Sequence, residues 1–310
     1  MNDSPEIKFI PPHPLKTAVL FMIFNRPDTT KQVFEAIREA KPPRLYIAAD
    51  GARRDREGEA QKVEDARKIA SNVDWDCEVK ILFRDENLGC KYAVSGSITW
   101  FFEHEEQGII LEDDCLPSQS FFWFCEELLE RYRGDLRVGH ISGYNHFPNR
   151  VKYSDYFFSL FPGIWGWGTW KNRWKTYDVE ISHFKNSEEE LKSMFLDKRV
   201  FKYYSNIYSN IKLVDTWDYQ WTYNLLMQRF LSIRPSYNLV TNIGFGKWAT
   251  HTKSNNIAIM NNKGVELGVD NFKSPKWILP NIKEDKFFFK NRCCNSVYQR
   301  ILRKMKNVYV

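Results

Sequence analysis

The chain contains 310 residues, of which 43% are hydrophobic and 27% are charged, a composition typical of a globular protein rather than of a disordered one. The formal net charge is +6 at pH 7, but the segment from Lys283 to Val310 carries eight basic and two acidic residues, so residues 1–282 are net neutral. A neutral body lacks the basic surface of a nucleic-acid-binding protein, and we expect no nucleic-acid partner.

Apolar runs alternate with helix-forming stretches through the first half of the chain. Strands are predicted over residues 18–24, 45–49, 78–83, 108–111 and 138–142. Helices are predicted over residues 29–40, 55–72 and 121–132, and a further helix follows the turn Asn87-Leu88-Gly89 to about His104. This alternation predicts an α/β, Rossmann-like fold with a mostly parallel sheet covered by helices on both faces.

Polar side chains follow four of the predicted strands, at the points where the strands end. They are Arg26, Asp50, Asn87 and the triplet Glu112-Asp113-Asp114. Ligands of open α/β sheets bind beyond the carboxyl ends of the strands. The four strand ends together therefore predict a ligand site on one rim of the sheet.

The acidic triplet follows the apolar run Gly108-Ile109-Ile110-Leu111. Adjacent carboxylates repel one another and resist burial, so they need a positive partner. Carboxylate oxygens suit Mg²⁺ or Mn²⁺, which also bind substrate phosphates and water. A bare acidic pair is common on protein surfaces, but its place after a buried strand favours a cation site.

The pattern changes beyond residue 150. Residues 153–174 are rich in aromatic residues and glycine, with "FPGIWGWGTW" at the centre, and either an acceptor platform or a packed aromatic turn fits this stretch. Residues 187–212 are predicted to be helical, and "DTWDYQW" begins a further helix to about Phe230. Residues 240–275 are expected to be rich in loops.

A transferase also needs a general base near its acceptor. Asp218 lies between aromatic residues at a predicted helix start, and Asp215 competes with it. The alternative for Asp218 is a helix cap or a local ion pair. His251, in "GFGKWATHT", is a weaker candidate for contact with a phosphate or sugar, because a single histidine is more often structural.

We expect one catalytic domain over residues 1–282, with a nucleotide-sugar half over about 17–145 and an aromatic-rich acceptor half over about 146–282. Residues 283–310 form a basic tail, in which an amphipathic helix is expected either to contact an anionic membrane surface or to dock on the body. No signal peptide is visible, and six cysteines without a CxxC pair suggest reduced thiols. The expectation is a cytoplasmic protein, with the tail offering peripheral contact at the inner face of the membrane.

The motifs "FNRPDTT", "AADGAR", "ENLGC", "IILEDD", "FPGIWGWG", "TWDYQW", "IRPSYN" and "GFG" occur in this order. Over roughly residues 17–255 the chain thereby resembles GT-A-fold nucleotide-diphospho-sugar glycosyltransferases. It is most similar to bacterial glycosyltransferase-like proteins related to the eukaryotic mannosyl-glycoprotein β-1,2-N-acetylglucosaminyltransferase. The eukaryotic members have a membrane-anchoring stem, which is not expected in this chain, and the basic tail lies outside the resemblance.

The resemblance implies a role for each matching residue. Asp114, the last residue of a DxD-type motif, would be the ligand of Mn²⁺ or Mg²⁺. Five other residues would bind the donor. Asp113 would contact the ribose and Glu112 the donor sugar, and Trp217 would line the sugar pocket. Arg26 and Asp50 would hold the uridine and the diphosphate. Asp218 would be the general base, and the segment from Gly244 to His251 resembles a loop that orders over bound nucleotide sugar. Asn87 is a further candidate for donor binding.

The expected activity is therefore metal-dependent, inverting transfer of N-acetylglucosamine or a related hexose from a UDP-sugar to a hydroxyl of a glycan or glycolipid acceptor. One alternative is a sugar-phosphate nucleotidyltransferase, although "FNRPDTT" is not the glycine-rich basic loop that such an enzyme usually shows. Another is a non-catalytic sugar- or membrane-binding protein with the same fold, against which the triplet and Asp218 argue.

Overall fold

A computed structural model describes residues 9–195, 197–244, 263–268 and 272–293 of the protein. The strands are β1 (Val19–Ile23), β2 (Arg44–Ala49), β3 (Glu78–Phe83), β4 (Gln107–Glu112), β5 (Cys115–Pro117), β6 (Val138–Ser142), β7 (Tyr156–Ser159), β8 (Trp167–Trp170), β9 (Leu231–Pro235) and β10 (Val240–Asn242). The helices are α1 (Pro27–Ala40), α2 (Glu59–Ala70), α3 (Gly89–His104), α4 (Gln119–Arg131), α5 (Lys171–Trp174), α6 (Glu188–Ser193), α7 (Lys198–Ser209), α8 (Asp218–Met227) and α9 (Ile282–Phe288).

Across the described ranges, eight strands form one mixed sheet in the order β3-β2-β1-β4-β8-β6-β9-β7. Strands β1 to β4 pair in parallel, and so do β6 and β9. Strand β8 is antiparallel to both β4 and β6, and β7 is antiparallel to β9 at the edge. The prediction of an α/β fold with a mostly parallel sheet is confirmed, whereas the antiparallel strands β7 and β8 were not predicted.

Both faces of the sheet are covered, because alternate side chains of β1 enter two different cores. Val19 and Phe21 pack in a cluster that includes the apolar faces of α1 and α4. Leu20 and Met22 pack in a second cluster with apolar residues of α3 and α8. This double burial explains why β1 is apolar throughout rather than alternating, as expected for a central parallel strand.

The first helix begins two residues earlier than the sequence suggests. The predicted helix begins at residue 29, but α1 starts at Pro27, with Arg26 in the cap position. Proline suits the first helical position because its fixed φ matches the helix and its missing N–H would have no partner there. The early start keeps Arg26 at the end of the loop that follows β1.

The prediction that residues 187–212 are helical is confirmed for most of this stretch, which the structure divides into α6 and α7. Asp197 interrupts the helix by accepting a hydrogen bond from the Arg199 N–H at 2.9 Å, and so caps a new helix. Helices α6, α7 and α8 enclose a third cluster that is rich in aromatic rings, including Phe161, Tyr204 and Tyr223.

The first part of the predicted tail packs against the body. In α9, Glu284 pairs with Arg150 at 2.7 Å, and the Arg150 guanidinium lies 3.4 Å from the centroid of the Phe287 ring. Phe288 and Phe289 are buried in the third cluster. Residues 294–310 lie outside the described ranges, so the expected membrane contact of the tail stays a prediction.

Among the described residues, no helix combines the length and the apolar character that crossing a membrane requires. Four cysteines in this part of the chain are free thiols, namely Cys77, Cys90, Cys115 and Cys125.

The docking of α9 depends on a buried carboxyl group, that of Asp285. It accepts hydrogen bonds from the Ser159 hydroxyl at 2.5 Å and from the Leu160 N–H at 3.0 Å. Burial raises the pKa of Asp285 to about 6, although these hydrogen bonds and the nearby Arg234 charge act in the opposite direction. Because the folded-state pKa lies above the usual value, folding binds a proton between about pH 4 and pH 6.

Asp285→Asn is therefore expected to remove part of the pH dependence of unfolding. The stability that the protonated carboxyl contributes is present below about pH 4 and is lost as the pH rises through about 6. Relative to the wild type, the free energy of unfolding of Asp285→Asn should rise by roughly 3 kcal/mol between pH 4 and pH 7. Urea unfolding at several pH values measures this difference.

The control is Asp55→Asn, which changes a carboxyl whose side chain is 76% exposed. Its pH profile should coincide with that of the wild type. A constant offset between Asp285→Asn and the wild type at all pH values would contradict the burial argument.

Candidate active site

A cleft lies at the carboxyl ends of β1 to β4, where the strand order reverses. Strand β1 has β2 on one side and β4 on the other, and such a reversal opens a crevice for ligands beyond the strand ends. A cavity of about 510 Å³ occupies this position. Its lining contains all the predicted site residues within the described ranges, namely Arg26, Asp50, Asn87, Glu112, Asp113, Asp114, Trp217 and Asp218. The remaining candidate, His251, lies outside those ranges.

The acidic triplet occupies the turn between β4 and β5. Glu112 is the last residue of β4 and is half-buried, whereas Asp113 is 7% exposed. The Phe24 N–H, just beyond β1, donates a hydrogen bond to Asp113 at 2.9 Å. Asp114 accepts a hydrogen bond from Arg26 Nη1 at 2.6 Å. The structure therefore pairs two residues, Arg26 and Asp114, that the resemblance assigns to different ligands.

The ionisation of the triplet is strongly perturbed. Burial raises the pKa of Asp113 to about 7, with a further contribution from the Asp114 charge. Burial also raises the pKa of Glu112 well above its usual range, and the other two carboxylates add to this shift. For Arg26, burial alone would lower the pKa, but the surrounding carboxylates raise it. One guanidinium is therefore insufficient to balance three carboxylates, and the cluster favours additional positive charge.

The whole cleft shows the same imbalance. The described residues that line it include six carboxylic acids and three guanidinium groups. The acids are Asp50, Glu112, Asp113, Asp114, Asp215 and Asp218, and the guanidinium groups are those of Arg26, Arg53 and Arg84. An anionic ligand alone would meet a net negative surface. A cation bound together with such a ligand would reverse that repulsion.

Asp50 supports the turn that precedes α3. Its carboxylate accepts hydrogen bonds from the Asn87 amide at 2.9 Å and from the N–H groups of Leu88 at 3.0 Å and Gly89 at 3.2 Å. Burial raises the pKa of Asp50, and the backbone hydrogen bonds oppose that shift. Asp50 and Asn87, which the sequence placed on one rim, thus contact each other and shape the same wall of the cleft.

Asp215 and Asp218 have different surroundings, although they are three residues apart. Asp215 accepts hydrogen bonds from the Cys90 N–H at 3.1 Å and the Lys91 N–H at 2.8 Å, at the start of α3. Asp218 begins α8 and accepts a hydrogen bond from the Thr216 hydroxyl. Asp215 is thus used to cap a neighbouring helix, which leaves Asp218 as the better candidate for a base.

Trp217 forms part of the floor of the cleft. It lines the cavity, yet it is only 2% exposed. Its ring stacks on Trp167 with a centroid distance of 5.4 Å and an interplanar angle of 17°. The "GIWGWGTW" segment therefore serves two purposes, because Trp165 lines the cavity while Trp167 supports Trp217 from the core.

Several lining residues were not identified from the sequence. Arg84 directly follows β3, so the strand-end rule that selected Arg26 and Asp50 would have found it. Cys90 also lines the cleft, but burial and the nearby carboxylates raise the pKa of its thiol, which argues against a nucleophilic role. No local signal marks His146 or Phe288, since folding brings both to the cavity from distant segments.

The carboxylates suit a cation site that a substrate completes. Within the described part of the chain, no group of three His, Cys, Asp or Glu side chains is arranged to hold a metal ion. Mg²⁺ commonly uses only one or two protein carboxylates and takes its other ligands from water and substrate phosphates. Asp114 and the negative surroundings described above fit that limited role, whereas they do not form a closed protein cage.

Comparisons with known proteins add little to this geometry. No family model matches the chain, and no curated protein matches it. Similar solved structures include the crystal structure of HddC from Yersinia pseudotuberculosis, with 10% sequence identity and a TM-score of 0.33, covering 54% of this chain and 83% of that one. A likeness of this degree carries no argument about function.

Gly244, just beyond β10, is expected to tolerate no side chain. A methyl group there would overlap the Asp114 carboxylate and would lie 2.8 Å from Arg26 Nη1. Gly244→Ala should therefore lower the free energy of unfolding by about 1–3 kcal/mol, as overpacking usually does. Urea unfolding measures the change, and Gly134→Ala is the control, because a methyl at that position meets no described atom within 4 Å.

A double-mutant cycle with Asp114→Ala identifies the cause. The cost of Gly244→Ala should be smaller in the Asp114→Ala background, where the overlapping oxygen atoms are gone. If Gly244→Ala lowers the free energy of unfolding equally in the two backgrounds, the overlap with the Asp114 carboxylate is not the cause.

Proposed function

We propose that the protein is a metal-dependent, inverting glycosyltransferase of the GT-A type, related to the mannosyl-glycoprotein β-1,2-N-acetylglucosaminyltransferase that its motifs resemble. It would transfer N-acetylglucosamine or a related hexose from a UDP-sugar to a hydroxyl of a glycan or glycolipid. The observation that carries this proposal is the convergence of the acidic triplet, Arg26, Asp50, Asn87 and Asp218 on one cleft beyond the strand ends.

The donor side of the proposed reaction involves the rim formed by β1 to β4. Arg26, Arg53 and Arg84 line this rim and offer guanidinium groups of the kind that bind phosphate oxygens. In the structure, Arg26 pairs with Asp114. We infer that Arg26 exchanges this partner for the donor diphosphate, because both are anionic and Arg26 lines the cleft that would hold the donor.

Asp114 is the proposed ligand of Mn²⁺ or Mg²⁺. A divalent cation at this position would neutralise the negative charge that develops on the departing UDP. Asp113, which the Phe24 N–H orients, and Glu112 would accept hydrogen bonds from hydroxyl groups of the donor. The raised pKa values of both groups are consistent with carboxylates that are fully ionised only when a cation is present.

Asp218 is the proposed general base. Its side chain lies in the same cavity as the triplet, and the Thr216 hydroxyl orients it. From this position Asp218 would take the proton of the acceptor hydroxyl as that oxygen attacks the anomeric carbon and UDP departs from the opposite face. The rigid start of α8 would hold the carboxylate in place, which reduces the entropy that orientation costs.

Asp218→Asn should lower the rate of sugar transfer by about 10²–10⁴-fold, the usual cost of removing a general base. The UDP affinity should not fall, because the amide keeps the size of the carboxylate and removes a negative charge from the cleft. The measurement is UDP release from UDP-N-acetylglucosamine in the presence of an acceptor, together with calorimetry of UDP binding.

Asp215→Asn provides the comparison. Its single amide oxygen keeps one of the two backbone hydrogen bonds at the start of α3, because Oδ2 and Oδ1 of Asp215 each accept one of them. If Asp215→Asn loses transfer while Asp218→Asn keeps the wild-type rate, the base has been assigned to the wrong residue.

Asp114→Ala should weaken UDP binding in the presence of Mn²⁺ by more than about 10-fold, because even the outer partners of metal ligands typically contribute 10–100-fold. In EDTA the variant should bind UDP at least as well as the wild type does, since one negative charge has been removed from the cleft. Calorimetry under both conditions measures this difference.

The matched control is Asp74→Ala, which removes a surface carboxylate paired with Arg38. A wild-type response of Asp114→Ala to Mn²⁺ would refute the role of Asp114 as the metal ligand.

A nucleotidyltransferase would instead consume a nucleoside triphosphate and a sugar phosphate and release pyrophosphate. An assay of the released product therefore distinguishes the two reactions.

A further inference from the structure

A group of exposed apolar side chains lies beside the edge strand β7. Tyr153, Trp277, Leu279 and Ile282 are 68%, 66%, 67% and 39% exposed, and they are four of the eleven exposed large hydrophobic residues in the described ranges. Asn281 connects their two segments, because its Nδ2 donates a hydrogen bond to the Tyr153 hydroxyl at 3.1 Å and Ile282 follows it directly. We call these four exposed residues the apolar edge.

Residues 273–281, which carry two members of the apolar edge, are fixed to β7 at two points. The Asp155 N–H donates to the Lys273 carbonyl oxygen at 2.9 Å, and the Asn281 N–H donates to the Phe158 carbonyl oxygen at 2.7 Å. Three residue steps along a strand cover about 10 Å, whereas the eight steps between the two anchors could cover about 26 Å. The chain between the anchors is therefore longer than the edge requires, and part of it projects from β7.

Burial alternates along the projecting part. Ile278 packs against the apolar core, whereas Trp277 and Leu279 on either side of it are exposed. Single apolar residues scattered over a surface are normal, but a contiguous group marks a place where the surface meets a partner. The segment is thus attached to the core by one side chain and presents two others outward.

Exposed lysines lie in the same segments as the apolar edge. They are Lys152, Lys273, Lys276, Lys283 and Lys286. The Nζ atom of Lys276 lies 5.2 Å from the centroid of the Trp277 ring. Lysine can lay its methylene stem along apolar groups while its ammonium group reaches a polar layer. The apolar edge therefore has a border of positive charge.

The acidic residues of these segments do not balance the lysines. Glu284 pairs with Arg150 at 2.7 Å, and Asp285 is buried. The third acid, Asp155, accepts a hydrogen bond from the Lys273 N–H at 2.8 Å. Even when Asp155 is counted, the five lysines leave the surface net positive, so it would attract an anionic partner.

An anionic lipid bilayer matches this combination of groups. Tryptophan and tyrosine are enriched where a bilayer meets water, leucine and isoleucine enter the acyl boundary, and lysine attracts anionic headgroups. Two partners from the chain itself match less well. A second copy that presented the same surface would bring the lysines of both copies together, and residues 294–310 contain four basic residues and no acidic residue.

We propose that the apolar edge and its five lysines form a docking surface for an anionic lipid bilayer, with Trp277 and Leu279 inserted at the boundary between headgroups and acyl chains. Helix α9 begins beside this surface with Ile282 and reaches the cleft with Phe288. A helix of this size is only about 10 Å long, so docking would bring the cleft close to the bilayer. The inference depends neither on the proposed function nor on the basic tail.

Co-sedimentation of the full chain with vesicles tests this proposal. The vesicles contain phosphatidylcholine alone or phosphatidylcholine mixed with phosphatidylglycerol. The background for all measurements is Arg300→Gln/Arg303→Gln/Lys304→Gln/Lys306→Gln, which removes the positive charge of residues 294–310. In this background the protein should sediment with the mixed vesicles, and the amount should fall with added salt or with phosphatidylcholine alone.

Variants in the neutralised-tail background locate the contact. Trp277→Ser/Leu279→Ser should weaken partitioning by at least about 10-fold, because burial of one large apolar side chain contributes roughly 10- to 100-fold. Lys276→Gln/Lys283→Gln should weaken binding to the mixed vesicles by about 5-fold per lysine. Leu213→Ser is the matched control, since it removes an apolar residue that is 84% exposed outside the surface, and it should leave partitioning unchanged. Thermal unfolding verifies that each variant is folded.

A second measurement reports the position of Trp277 itself. Brominated phosphatidylcholine in the mixed vesicles quenches the fluorescence of a tryptophan that reaches the acyl boundary. Trp277→Phe keeps an apolar ring, so it should still sediment, but it should lose the quenching that the background chain shows. A purely structural role of Trp277 would not produce this separation between binding and quenching.

The docking surface is refuted if the neutralised-tail chain does not sediment with the mixed vesicles, or if Trp277→Ser/Leu279→Ser sediments as its background does. Light scattering supplies a further contrary outcome. If the background chain is a dimer that does not bind vesicles and the same variant is a monomer, the surface is a protein interface. The proposed function is tested separately by UDP binding and release without vesicles, so either proposal can fail while the other stands.

Discussion

The need to neutralise three adjacent carboxylates at the end of a buried strand is the constraint on which the candidate site depends. Glu112 and Asp113 have raised pKa values because burial and mutual repulsion disfavour their charges. Within the described ranges, the Phe24 N–H donates a hydrogen bond to Asp113 and the Arg26 guanidinium donates one to Asp114. Both come from the loop after β1, so the β1–β4 pairing is also what assembles the site. The remaining excess of negative charge is the physical basis for a cation in the proposed reaction.

The two halves of the chain are joined at the same cleft. Asp215, from the second half, caps α3 in the first half through the N–H groups of Cys90 and Lys91. Strand β10 pairs with β5 directly after the triplet, and the Ile243 N–H donates to the Asp114 carbonyl oxygen at 2.8 Å. Because these contacts adjoin the triplet and the start of α8, the proposed base and the proposed metal ligand lie on one connected framework.

The strand-end residues could be predicted from the sequence, because alternating strands and helices imply a parallel sheet and the polar residues after the strands then share a rim. That rule located Arg26, Asp50, Asn87 and the triplet, and it would also have located Arg84. The pairing of Arg26 with Asp114 could not be predicted, since it depends on which strands are neighbours. The contribution of Phe288 was hidden for a similar reason, because α9 is held at the cleft by tertiary contacts, among them the burial of Asp285 and the packing of the third cluster.

The most direct test of the central claim is an anomalous-diffraction experiment on a crystal of the full chain soaked with UDP and Mn²⁺. The account predicts one manganese peak at about 2.0–2.3 Å from a carboxylate oxygen of Asp114, in contact with the diphosphate, with Arg26 no longer paired to that carboxylate. A manganese peak away from the triplet, or bound UDP with Arg26 still paired to Asp114 and no metal present, would contradict it.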